Sequence, residues 1–122
     1  MHEDYPRYHE RLQALTATLA KELRGPMSAF AQLNGATTAA GVLSTKTKQL
    51  IALGIGITVR CDGCIAYHVH DALRAGATKQ EILETIGIAI LMGGGPAVVY
   101  GCEALEALDQ FEAAGLPRPN RE

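Results

Sequence analysis

The chain has 122 residues, enough for one domain with a core of its own and too few for two. Thirteen acidic and eleven basic side chains leave a net charge of -2, and four tyrosines and two phenylalanines with no tryptophan offer few stacking surfaces, which excludes a basic nucleic-acid-binding protein. No apolar run reaches the roughly 18 residues of a membrane span, and the first residues lack the charged-then-apolar order of a signal peptide, so a soluble, cytoplasmic protein is expected.

Residues 7 to 24 place Tyr8, Leu12, Leu15, Leu19 and Leu23 at helical spacing among charges, the pattern of an amphipathic first helix. Gly25-Pro26 should stop it, and Pro26 can open a second helix that runs through Met27, Phe30, Ala31 and Asn34 to about Gly41. Ser44 or Thr45 is a suitable N-cap for a third helix, in which Leu50 to Val59 is apolar at nearly every position and so reads as buried all round. A buried strand competes there, because Ile55, Ile57 and Val59 alternate with small residues; the length of the run and its polar lead-in, Lys46 to Gln49, favour helix.

A fourth helix beginning near Asp62 carries Cys64, Ile65, His68, Val69, Ala72 and Leu73, with Gly76 where a left-handed terminal residue is wanted. Thr78 and Glu81 form a capping box for a fifth, whose apolar face is Ile82, Leu83, Ile86, Ala89, Ile90 and Met92. The Gly93 to Pro96 stretch ends it; read as a phosphate loop it would need a following Lys-Ser/Thr pair, which is absent. Val98, Cys102, Leu105 and Leu108 mark a last helix to about Ala114, before Gly115 and a polar tail expected to be mobile. These six helices make an all-α domain, and two broadly apolar ones, the third and fifth, are more than a small monomer can enclose. A homo-oligomer is therefore expected.

The chemistry gathers at Cys61, Cys64 and His68. Within one helix, positions i, i+3 and i+7 bring Cys64 within reach of both neighbours. A helix N-terminus or a nearby imidazolium lowers a thiol pKa from about 8.5 toward the range in which it attacks as thiolate. An odd count of three cysteines, two of them in a C-x-x-C, suits redox or metal chemistry better than a secreted disulfide scaffold. Zinc remains an alternative, with Cys61, Cys64, His68 and His70 as four candidate ligands, but His70 turns about 200° around a helix axis from His68 and would point elsewhere. Inert buried thiols are the blander reading. Cys102 is expected to be a buried small hydrophobe, Tyr67 a packing residue, and His2 and His9 surface residues.

Leu50 to His68, with Asp71, Ala72, Gly76-Ala77, Glu81-Ile82 and Glu84, resembles the core domain of the alkylhydroperoxidase AhpD and carboxymuconolactone decarboxylase superfamily, over roughly residues 26 to 108 of a single domain. The resemblance implies an AhpD-like helical fold, trimers or hexamers, and no metal or organic cofactor. It implies the motif Glu-x11-Cys-x-x-Cys-x3-His, in which the second cysteine becomes a sulfenic acid and the first resolves it as a disulfide. Carried over, Cys64 is the peroxidatic thiol, Cys61 the resolving one, and His68 part of a proton relay, with a small peroxide as substrate and a thiol electron donor as partner. Two positions depart: the glutamate is Gln49, an amide that cannot shuttle a proton near neutral pH, and the residue before the second cysteine is Gly63. The alternatives are a decarboxylase-type enzyme acting on a small carboxylated lactone, and a non-catalytic or zinc-stabilised protein.

Overall fold

The computed structural model describes residues 4–118, and among these there are six helices and no strand: α1 (Tyr5–Glu22), α2 (Arg24–Thr38), α3 (Thr45–Thr58), α4 (Asp62–Arg74), α5 (Lys79–Gly93) and α6 (Gly95–Ala113). None of them is long and apolar enough to cross a membrane. The helix ends follow from local chemistry. Asp4, Ser44 and Thr78 cap α1, α3 and α5 by accepting from backbone N–H groups three residues on, and Glu81 completes the capping box on Thr78. Gly76 and Gly94, at φ of +95° and +68°, take left-handed conformations that a side chain would strain, and Gly94 both ends α5 and caps α6.

Four helices form the body. α3 lies between α4 and α5, and α6 packs on α5, α4 and α3. Leu53, Ile57, Ile65, Val69, Ile82 and Leu108 are fully buried between them, each side chain contributing about 1.5–3 kcal/mol by its removal from water. α1 lies across α4 and α6 with only its first half; Tyr5 and His9 are buried, while Leu15, Leu19 and Leu23 remain largely exposed. α2 buries no residue. It is tied to the body at its end, where Thr45 Oγ1 and Lys48 Nζ donate to the carbonyls of Thr38 and Ala39.

Several sequence expectations need correction. The break between the first two helices falls at Leu23, so Gly25 and Pro26 sit in the first turn of α2 instead of ahead of it. The third helix is not buried all round, since Ile51, Ile55 and Val59 are exposed; with Ile88, Leu91 and Met92 of the fifth, Met92 by 75%, they are the uncovered apolar face that the sequence led one to expect of these two helices. Together α3 and α5 flank an apolar groove of about 500 Å³. Cys102 is exposed, because α6 turns its small residues inward; a Cβ on Gly101 would stand 2.8 Å from Ile86 Cγ2, a closeness that only glycine permits. His9 is buried instead of being a surface residue. The start of the tail is held, since Leu116 N–H donates to the Phe111 carbonyl and its side chain packs against the core. His2 lies outside the described residues.

Candidate functional site

The α3–α4 turn is what brings the cysteines together. Arg60, at φ +61°, takes the left-handed position that closes α3, and the Cys61 N–H donates back to the Gly56 carbonyl at 3.0 Å. The chain then reverses directly into α4 with Cys61 as its N-cap: Cys61 Sγ accepts from the Cys64 N–H at 3.1 Å. Cys61 and Cys64 are joined as a disulfide, their Cα atoms 5.1 Å apart. Both sulfurs thus belong to the first turn of a helix, where unpaired N–H groups and the helix dipole favour negative charge. α3 makes room for this turn with Gly56, whose missing Cβ would lie 3.0 Å from the Cys64 Cβ.

His68 stands one turn beyond Cys64 on the same helix. Its Nδ1 lies 2.8 Å from Oε1 of Gln49, which projects from the start of α3 and is 6% exposed. An amide oxygen only accepts, so this contact places the ring proton on Nδ1 and leaves Nε2 as the basic nitrogen. Burial lowers the pKa of His68, with the Asp71 carboxylate acting in the opposite, smaller sense, and the imidazole is accordingly neutral near pH 7. The four positions singled out from the sequence, Gln49, Cys61, Cys64 and His68, therefore fall at one junction of α3 and α4. His70 does not join them. Its ring stacks on His9 of α1, centroids 4.1 Å apart, and its Nδ1 pairs with Asp71 at 2.9 Å. Among the described residues no cluster of three or more His, Cys, Asp or Glu side chains is arranged to hold a metal ion.

The sequence profile of the carboxymuconolactone decarboxylase family matches residues 26–107. The chain belongs to that family. An uncharacterised protein of Cupriavidus necator is 39% identical over 87 residues, 71% of this chain and 77% of the relative. Another, protein 4 of the cox locus of Paracoccus denitrificans, is 40% identical over 86 residues, 70% and 78% of the two chains. Among solved structures, a carboxymuconolactone decarboxylase family protein of Legionella pneumophila has a TM-score of 0.84 at 38% identity, covering 88% of this chain and 96% of that one. A Thermotoga maritima member of the family has a TM-score of 0.69 at 31% identity, with 73% and 92% covered.

The family profile begins after α1, and α1 supplies most of the polar groups that sequence reasoning missed. The Tyr5 hydroxyl donates to Glu103 Oε1 of α6 at 3.2 Å, both residues being buried, and burial together with that carboxylate pushes the Tyr5 pKa far up. Tyr8 is pushed the same way by burial, then by Asp62 and Glu103. His9 meets His70, Tyr67 and Phe111 in ring contacts, its Nε2 buried without a hydrogen-bond partner, and burial followed by the neighbouring His70 lowers its pKa. Tyr67 is a packing residue in this cluster, as expected. Glu103 was hidden because its neighbours Ala104 and Ala107 are small; the inward face of α6 is legible only if alanine and glycine are counted as core.

Proposed function

We propose that this member of the carboxymuconolactone decarboxylase family is a thiol-dependent peroxidase of the alkylhydroperoxidase type. The observation that carries the reading is the Cys61–Cys64 disulfide in the first turn of α4, one turn before a neutral histidine oriented by Gln49. In the reduced dithiol, His68 Nε2 takes the Cys64 proton, directly or through a water. The Cys64 thiolate attacks one peroxide oxygen; an S–O bond forms, the O–O bond breaks, and the departing alkoxide or hydroxide takes up a proton. The Cys61 thiol then attacks the sulfenic sulfur, forming the disulfide and releasing water, and a dithiol donor returns the two electrons by exchange. The family's Thermotoga maritima member, for which an antioxidative role has been suggested, is in keeping with this chemistry.

The same proposal takes the protein to be a cytoplasmic homo-oligomer, a trimer or hexamer, whose contacts cover the apolar α3–α5 groove and the bare side of α2. No metal or organic cofactor takes part in the steps above. Peroxide consumption with a dithiol reductant, run beside a metal assay and an assay on carboxylated lactones, tests the reading. Turnover of peroxide by metal-free protein supports it; lactone decarboxylation with no peroxide turnover, or stoichiometric zinc on the cysteines, overturns it.

A further inference from the structure

His9 seats α1 on the body. The residue is buried, and its ring lies against His70 of α4, with centroids 4.1 Å apart and planes within 22° of parallel. Tyr67 of α4 and Phe111 of α6 meet the same ring edge to face, with centroids at 4.9 and 5.8 Å. Nε2 of His9 is buried with no hydrogen-bond partner. The site tolerates it as the bare nitrogen of a neutral ring; given a proton, it becomes a charged donor out of water and without an acceptor. His70 differs, because Asp71 lies 2.9 Å from its Nδ1 and would stand beside any charge there. The rest of the seat is short. One turn back, the Tyr5 hydroxyl and N–H donate to Glu103 and Gln110 of α6, and farther on Leu15, Leu19 and Leu23 are largely exposed.

We propose that the first half of α1 is an acid-released latch: it stays on α4 and α6 while His9 is neutral, and a proton on His9 lifts residues 5–12 off a body that remains folded. Once released, the imidazolium reaches water, so proton uptake and the opening of α1 favour each other. The groups that face His9 act in a known sense. From α4, His70 opposes a charge on it and Asp71, engaged with His70, favours one to a smaller extent; burial outweighs both and acts against the charge. Tyr67 of α4 and Phe111 of α6 bring neutral rings, and Glu103 of α6 is directed at the Tyr5 hydroxyl. The body has the means to stay folded without this contact, since Leu53, Ile65 and Ile82 are fully buried among α3 to α6 and the family profile begins only after α1. A local opening of this kind needs less free energy than global unfolding.

The test is amide hydrogen exchange of the oxidised protein, read by mass spectrometry between about pH 5 and pH 8 and corrected for the intrinsic dependence of exchange on pH. It uses no peroxide, so its outcome is independent of the peroxidase reading. Protection of residues 5–12 should fall below about pH 6.5, by up to about tenfold per pH unit for one linked proton, while protection of α3 to α6 holds. In the same protein the fall should coincide with the titration of the His9 ring followed by NMR, a comparison that needs no variant and serves if a variant does not fold. His9→Phe fills the space with a ring that takes no proton, and should keep α1 protected in acid. His68→Asn removes the imidazole beside the cysteines and should leave the fall in place. Protection of α1 that does not fall in acid, that falls only together with α3 to α6, that departs from the His9 titration, that still falls in His9→Phe, or that no longer falls in His68→Asn would overturn the latch.

Discussion

His68 and Gln49 are joined across the α3–α4 interface by a hydrogen bond of 2.8 Å, from Nδ1 of the ring to Oε1 of the amide. The amide fixes the tautomer and holds the ring against rotation, yet it gains or loses no proton at neutral pH. A carboxylate in its place would do both tasks. Gln49→Glu is therefore expected to raise the pKa of His68, measured by NMR titration, and to raise the rate of peroxide consumption where proton transfer from Cys64 limits it. A raised histidine pKa with no gain in rate would restrict position 49 to orienting the ring.

The two lowered histidines give stability a pH dependence with a definite sign. His9 and His68 are both harder to protonate in the folded chain than their ordinary value of 6.5, so between the folded values and 6.5 the unfolded chain binds more protons. Stability should be fully present above about pH 6.5 and decline as the pH falls below it through the folded values. For His9 the groups that bear on the charge are His70, which opposes it, and Asp71, which favours it, with Tyr67 and Phe111 as ring neighbours. Urea denaturation at several pH values checks the slope. His9→Phe should flatten it, and a slope unchanged by that variant would assign the effect elsewhere.

How far the site could be read from the sequence is decided by range along the chain. Cys61, Cys64 and His68 are legible because their relation is local to one helix, and Gln49 because the motif's spacing carries over to it; what joins them is a turn at Arg60 that no glycine announces. His9, Tyr8 and Glu103 were beyond reach for a different reason. They come from opposite ends of the chain and are brought together only by the docking of α1 on α4 and α6, a long-range event without a periodic signature. The apolar excess of the third and fifth helices was legible, but not that the first helix would stop covering the body halfway along, leaving Leu15, Leu19 and Leu23 open.

Gly56 should tolerate little. Cys64, the atom a new Cβ would meet at 3.0 Å, is fixed by the helix start and by its bond to Cys61, so it has little freedom to give way. Gly56→Ala is expected to cost about 1–3 kcal/mol in stability, read as a lower denaturant midpoint of the oxidised protein. The gain in helix propensity from alanine, about 1 kcal/mol, works against this, so an unchanged or raised midpoint would mean that α4 shifts freely on α3.

Assembly should depend on the exposed side chains of α3 and α5. Ile55 and Ile88 are 58% and 63% exposed in the single chain, so a charge at either position costs the protomer's own core little. Light scattering of the parent protein at micromolar concentration should give a mass above that of one chain, and Ile55→Glu with Ile88→Glu should reduce it without loss of helical circular dichroism. A parent protein that is monomeric under these conditions would remove the oligomer from the proposed function.

The sharpest separation is between the two cysteines. Cys64 sits in the first turn of α4, one turn before His68, whereas Cys61 is the cap itself and accepts the Cys64 N–H. If Cys64 attacks peroxide, Cys64→Ser should lose the first oxidation altogether, because a hydroxyl is a far poorer nucleophile than a thiolate. Cys61→Ser should still react once and stop there. Its sulfenic acid, with no neighbouring thiol to capture it, should be trappable on Cys64 and should over-oxidise in excess peroxide. His68→Ala should slow that first reaction without preventing it, since the start of α4 still favours the thiolate. Brief peroxide treatment of each reduced variant, sulfenic-acid trapping and intact-mass measurement read all three outcomes. Oxygen trapped on Cys61 in the Cys64→Ser protein would reverse the roles, and oxidation of Cys64 no faster than that of exposed Cys102 would remove the peroxidase reading itself.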